Sequence, residues 1–352
     1  MGQNMEKIRI GIVGAGNIAQ SAHLPAYSTL KDRAEIVAIA DLNRQRAQDA
    51  AAKFGIPAAF GSVEEMLANS ALDMVDICVW NGSHAPVAIA AAQAGKAILC
   101  EKPMADCLEH ALQMEQAVKK AQVPFMMAMV SRFGGEQQLL HDMIEAGELG
   151  DIYYAKTAYI RRRGTPLGWF TDTKKSGGGP VIDIGVHCID RTWYLMGKPR
   201  PVRISASVSR RIGNYQTKGV GRWIALDRDV TAFDTEDSAA AIIHFDNGAS
   251  MLVEASWAIN AKPDAYTQIC GTKAGATLDP LMIYGENEQG YLTDNQPTVA
   301  KYNGFEAELA HFIDCLQNGK KPLSPIEDGI TVQRMLQGIY DSASQGREVR
   351  LD

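Results

Sequence analysis

Three residues able to move protons or hold cations interrupt one apolar run. Asp183, His187 and Asp190 occur in Gly177–Asp190, GGGPVIDIGVHCID. Proline is tolerated in the first turn of a helix, where its missing N–H costs nothing. Read that way, a helix runs from Pro180 to about Met196 and stops at Gly197, with Pro199 beyond. At about 3.6 residues per turn the three polar side chains share one face. Ile182, Val186, Ile189, Trp193 and Met196 form an apolar stripe, so most of the helix should be buried. Burying Asp and His without partners is costly. Three chemistries suit such a face: a structural hydrogen-bonded pair, a metal site, or a proton-transfer pair facing a cavity. Taken alone, the stretch favours the structural pair. Its glycines would let the chain pass close to a cofactor or substrate.

Lys102 is the second candidate. It follows an apolar strand, Ala97–Cys100, in Glu101-Lys102-Pro103. Lysines usually end in solvated loops. A lysine beside a bound nicotinamide could instead polarise a substrate oxygen or relay a proton.

The elements that would position these groups can be read from the alternation. Lys7–Val13 (KIRIGIV) is a buried strand, and Gly14-Ala15-Gly16-Asn17-Ile18-Ala19 opens a helix directly after it. This is G-x-G-x-x-A between strand and helix, the setting for a dinucleotide site. Gly14 allows the tight turn, Gly16 the approach of a pyrophosphate, and Ala19 close packing. The helix start, with Asn17 and Ile18, supplies N–H donors and a positive dipole end. Asp41 ends the next strand, Glu35–Ala40. A carboxylate there accepts from the adenosine ribose and repels a 2′-phosphate, favouring NAD. Arg44 and Arg46 leave NADP open, or are exposed charges on the next helix. Further strands at Val75–Val79, Ala97–Cys100 and Val123–Val130 alternate with helices, which predicts a parallel sheet with helices on both faces. Asn81, His84, Glu101 and Lys102 fall with the glycine turn and Asp41 at the carboxyl ends, where such sheets bind ligands.

Beyond Phe133 the pattern changes. Strand-like runs at Ile152–Ile160, Val202–Val208, Ser238–Phe245 and Ser250–Ala258 have few helices between them, and Asp246-Asn247-Gly248 is a hairpin signal. The expected fold is therefore α/β: a Rossmann domain over 1–130, then an α+β domain over 131–352 with a large, mostly antiparallel open sheet. An uncovered sheet face would suit a homodimer or homotetramer.

Composition narrows the classes. At 352 residues two domains are expected, and the net charge of −6 argues against a nucleic-acid partner. No apolar run is long enough for a bilayer, so no membrane partner is expected. The N-terminal MGQNMEKIRIG has no leader-like apolar segment. Six cysteines lack zinc or Cys-x-x-Cys spacing and read as buried thiols of a cytoplasmic protein.

Taken in order, GIVGAGNIA, Asp41, NGSH, EKP and GGGPVIDIGVHCID resemble the glucose–fructose oxidoreductase/inositol dehydrogenase/rhizopine-catabolism (Gfo/Idh/MocA) family over nearly the whole chain. The resemblance implies NAD(P)-dependent, reversible oxidation of a secondary hydroxyl on a sugar, sugar derivative or cyclitol. It places the family's lysine on Lys102, its aspartate on Asp183 and its histidine on His187, as the catalytic group. It implies no metal. A histidine, with an ordinary pKa of about 6.5, suits the role of base. Arg161, Arg162, Arg163 and Trp169 precede the helix, where substrate loops lie. Arg163 and Trp169 are the substrate candidates; the arginines would bind a carboxylate or phosphate, or else form a solvated strand end with ion pairs across a dimer. Two other classes remain: an NAD-dependent glycosidase using transient oxidation, and a non-catalytic NAD(P)- and sugar-binding regulator.

Overall fold

The computed structural model describes residues 6–226 and 233–351. Residues 1–5, part of the N-terminal stretch MGQNMEKIRIG, lie outside them. The chain divides into two compact units, Met1–Val130 with Asn303–Ile330, and Ser131–Tyr302 with Thr331–Asp352. The return of Asn303–Ile330 to the first unit is not contained in a division at residue 130.

The first unit is built on β1 (Ile8–Val13), β2 (Ala34–Ala40), β3 (Ala58–Phe60), β4 (Met74–Ile77), β5 (Ala97–Glu101) and β6 (Phe125–Ala128). Their order is β3-β2-β1-β4-β5-β6, and every pairing is parallel. β4 and β5 are buried throughout, as strands covered on both faces must be. The order reverses between β1 and β4, so the crevice at their carboxyl ends is the place for a ligand. The returning segment borders β6: Met127 N donates to Ser324 O at 2.9 Å and Ser324 Oγ to Met127 O at 2.6 Å.

The second unit holds one nine-stranded sheet. Its strands are β7 (Ile152–Ile160), β8 (Pro201–Ser209), β9 (Ser238–Phe245), β10 (Ser250–Ser256), β11 (Asp264–Gly271), β12 (Gly275–Leu278), β13 (Met282–Glu286), β14 (Leu292–Asn295) and β15 (Val349–Arg350). β10 runs parallel to β7, and the other pairings are antiparallel. β9 and β10 form the hairpin at Asp246-Asn247-Gly248, where Gly248 takes φ +86°. The architecture is the α/β one that the alternation predicts.

The helix carrying Asp183 and His187 lies against β7, β10 and β11. It opens with a wide π-turn, Val181–Gly185, before the α-helix Val186–Leu195. It is anchored by Asp190. Arg132, fully buried, donates to the Asp190 carboxylate from Nε at 3.1 Å and Nη2 at 2.6 Å. The guanidinium also lies 4.7 Å over the Tyr194 ring, and His141 stacks on Tyr194 at 4.5 Å. Asp190 thus ties the helix to Arg132. No helix among the described residues is long and apolar enough to cross a membrane.

Removing one partner of a buried ion pair leaves the other charge uncompensated. Asp190→Ala is expected to destabilise the protein by about 3–5 kcal/mol in urea unfolding. A loss below about 1 kcal/mol, typical of an exposed pair, would contradict this account of the anchor.

Candidate active site

The glycine loop is shaped by two different constraints. Gly14 takes φ +100°, and a Cβ there would strike the Cys78 carbonyl oxygen. Only glycine fits this crossing of the chains after β1 and β4. Gly16 is the opposite case: a Cβ on it would meet nothing within 4 Å. Gly16, Asn17 and Ile18 are half-buried, whereas Gly14, Ala15 and Ala19 are buried. The loop thus presents its middle outward, with room for a phosphate against the backbone.

Asp41 is tied to this loop. Its Oδ2 accepts from Ala15 N at 2.8 Å and its Oδ1 from Asn43 N at 2.7 Å. A carboxylate has about four lone-pair sites, so these bonds leave acceptor capacity for ribose hydroxyls. Arg46 Nη1 lies 3.6 Å from Asp41 Oδ2, and Arg44 pairs with Glu65 at 3.0 Å.

Of the other strand-end residues, Lys102 is half-buried and joined to Pro103 by a cis peptide. Glu101 and His84 are turned into the unit. Glu101 is buried, with Oε1 3.0 Å from His23 Nε2 and Oε2 accepting from Lys102 N at 3.0 Å. His84 is fully buried, its Nδ1 2.7 Å from Pro103 O and its Nε2 3.1 Å from Val79 O. Burial pushes its pKa below the ordinary value. Both ring nitrogens therefore meet backbone inside the unit, and both residues brace the Lys102–Pro103 turn from beneath. Asn81 is also buried and begins the turn Asn81–Ser83.

In the second unit, every residue from Gly178 to Asp190 is buried except Asp183 and His187. Trp257, fully buried, donates from Nε1 to Asp183 Oδ2 at 2.9 Å, which fixes the carboxylate plane. With Asp190 held by Arg132, the Asp183–His187–Asp190 triple that a cation would need is not assembled.

The glycines before the helix do not open space. A Cβ on Gly178 would meet Tyr340 Cζ at 2.7 Å, and one on Gly179 would strike the Glu236 carbonyl oxygen. Their absence of side chains admits Glu236, buried at the helix start. Its carboxylate accepts from Gly179 N at 2.8 Å, Val181 N at 3.2 Å and Tyr340 OH at 2.9 Å. Burial pushes the Glu236 pKa up despite these donors.

Residues 8–129 match an oxidoreductase family with an NAD-binding Rossmann fold, and residues 141–351 match the C-terminal alpha/beta domain of the same family. The chain belongs to the Gfo/Idh/MocA oxidoreductase family. It is 33% identical over 349 residues to D-glucoside 3-dehydrogenase of Escherichia coli, covering 98% of this chain and 97% of that one. It is 28% identical over 351 residues to scyllo-inositol 2-dehydrogenase (NAD(+)) of Bacillus subtilis, covering 98% and 97%. Among solved structures it is similar to levoglucosan dehydrogenase in complex with NADH, with a TM-score of 0.86, 25% identity and coverage of 99% and 100%.

The loop before the helix holds the expected substrate residues Arg163 and Trp169. Arg163 donates to Ile259 O at 3.2 Å and Asn260 Oδ1 at 2.7 Å, and Arg161 to Tyr159 OH at 3.4 Å. These guanidinium groups brace the loop itself rather than converging on one anion. Trp169 stacks on Phe170 at 3.9 Å, and Phe170 packs against the cluster of Ile184, Ala255 and Trp257. Trp169 thus joins aromatic surface next to the tryptophan that holds Asp183. Trp257, Glu236 and Tyr340 carry no spacing signal that links them to the helix.

The open side of Gly16 and the residual acceptors of Asp41 fit a dinucleotide in the first unit. Gly16→Ala is expected to keep the wild-type melting temperature while weakening NADH binding by about tenfold or more, since its methyl takes the space of the phosphate. Fluorescence titration of bound NADH reads the affinity; unchanged binding would remove the loop from the site.

Proposed function

We propose that the protein reversibly oxidises a secondary hydroxyl of a cyclic, polyhydroxylated molecule — a sugar, sugar derivative or cyclitol — with NAD(P), and that Lys102, Asp183 and His187 handle the proton. The observation that carries this reading is the isolation of Asp183 and His187 as the two half-buried side chains of an otherwise buried stretch. Half-buried polar groups on an otherwise buried helix mark where a ligand would meet it. The glucoside and inositol dehydrogenases among the relatives support the substrate class.

Bound NAD(P) accepts hydride from the carbinol carbon, so the protein must take up the hydroxyl proton. His187 accepts that proton on an imidazole nitrogen. Asp183, its plane set by Trp257, orients the imidazole or a substrate hydroxyl. Lys102 bonds the same oxygen as negative charge develops on it. Asp41 supports NAD over NADP, with Arg46 3.6 Å from its own carboxylate and Arg44 paired with Glu65.

His187→Ala and Lys102→Ala are each expected to lower kcat by about 10²–10⁴-fold, the usual worth of a proton-transfer group, with NADH affinity little changed. The assay is NADH absorbance over a panel of polyols, aldoses, glycosides, cyclitols and sugar acids. Wild-type turnover in both variants would sink the assignment. Release of an aglycone without net NADH would mark the glycosidase instead, and sugar binding without any turnover the regulator.

The same reading includes a homodimer or homotetramer. Across the sheet, Ser205, Ile242, Leu252, Lys156, Gln268 and Thr277 lie in one row, and none is buried. A second copy with the same mixture of apolar and polar groups would cover that face. Leu252→Glu is expected to lower the molar mass in light scattering towards the monomer; an unchanged assembly would exclude this face. All six cysteines are free thiols, which supports a cytoplasmic setting.

A further inference from the structure

The first unit buries a cluster of ionisable groups around His23. His23 sits in the π-turn Ala19–His23 that follows the glycine loop and is fully buried. Its Nδ1 lies 2.8 Å from Asp76 Oδ2, and its Nε2 lies 3.0 Å from Glu101 Oε1. Asp76, on β4, is also fully buried. A neutral imidazole carries one N–H, so it would satisfy one carboxylate and set a lone pair against the other. A ring with both nitrogens protonated satisfies both.

The groups facing the ring agree with that state. Tyr27 OH donates to Asp76 Oδ2 at 3.1 Å, and Cys78 Sγ lies 3.6 Å from both His23 Nδ1 and Asp76 Oδ1. The Phe305 ring lies 6.0 Å away and tilted, and the charge of Glu308 acts on Tyr27. Burial is the largest single influence on His23 and lowers its pKa, but the charge and hydrogen bond of Asp76, together with the contributions of Cys78, outweigh it, and the value stands well above the ordinary one. Burial pushes the Cys78 thiol up to about 12, so it stays protonated. His23, Asp76 and Cys78 bring ligand-type atoms within 4.8 Å of one another. A metal would have to displace the protons of both the imidazolium and the thiol, whereas the paired carboxylates hold the ring as it stands, so the geometry is read as an ion bridge.

The bridge leads to the lysine. Glu101 meets His23 through Oε1 and receives Lys102 N through Oε2. On the other side, His84 holds the Pro103 carbonyl. We infer that His23 is a positioning residue: a buried cation joining Asp76 to Glu101, which keeps the Glu101 carboxylate on the Lys102 amide and so fixes the turn that carries the Lys102 side chain. The inference rests on the proposed part of Lys102 in proton transfer. With His23 charged, the cluster holds two carboxylates and one cation. A neutral residue at 23 leaves the carboxylates uncompensated, and neighbouring groups then hold their protons more tightly.

Two readouts test this. The first is the ¹⁵N spectrum of the histidine rings in the wild-type protein at about pH 8, above the ordinary imidazole pKa of about 6.5. His23 should show both ring nitrogens protonated; a neutral ring overturns the inference, whatever the enzyme turns over. The second is His23→Gln, compared with wild type and Lys102→Ala. It should lower kcat about tenfold or more, the cost of a misplaced group, with NADH affinity within about twofold and the pH–rate profile moved to higher pH. A lower melting temperature with wild-type kcat, or a lower kcat with an unmoved profile, overturns it. Wild-type protein inactive on the whole panel would defeat the dehydrogenase reading instead, and the spectrum would still decide the ion bridge.

Discussion

A carboxylate withdrawn from water must find donors. In this protein three of them find the backbone amides of segments placed to do chemistry. Asp41 takes Ala15 N, in the glycine loop. Glu101 takes Lys102 N. Glu236 takes Gly179 N and Val181 N, at the start of the helix with Asp183 and His187. A loop amide held by a buried charge has little freedom to drift, and catalysis by positioned groups depends on that restriction. Much of the local composition follows from it. Gly178 and Gly179 are small because Tyr340 and Glu236 occupy the space beside them.

The two units divide the work on this account. The first holds the open backbone at Gly16, Asp41 and the lysine turn, proposed to take the cofactor. The second supplies the imidazole, the carboxylate set by Trp257 and the aromatic surface of Trp169 and Phe170. Each half of the chemistry is braced within its own unit, by His23 and His84 in one and by Arg132–Asp190 and Glu236–Tyr340 in the other.

What the sequence revealed was whatever depends on near neighbours. Strand, glycine turn and helix follow one another in the chain, so the dinucleotide half was legible, as were β7, β9 and the Asp-Asn-Gly hairpin. The helix with Asp183 and His187 was legible too, but not its opening as a π-turn, which leaves no mark in hydrophobic periodicity. β11 escaped because it is largely polar, and β12 to β14 because they are short and broken by turn residues. Partners distant in sequence were the larger loss. Asp190 was grouped with His187 by helical spacing, yet Arg132 claims its carboxylate from an earlier turn of chain. Glu101 and His84 stood at strand ends like ligand contacts, and the fold turned both inward. Glu236 and Trp257 carry no local signal, since their roles arise only when the strands before and after them come beside the helix.

The central claim is that hydride leaves a ring carbon for the cofactor while side chains of this protein remove the hydroxyl proton. The most direct test uses a substrate from the panel deuterated at the carbinol carbon, with the reduced cofactor recovered and examined by mass spectrometry and NMR. The account predicts one deuteron transferred directly to the nicotinamide ring, on one face, with no exchange with solvent. Reduced cofactor lacking the label, or substrate consumed with the label released to water, would contradict it.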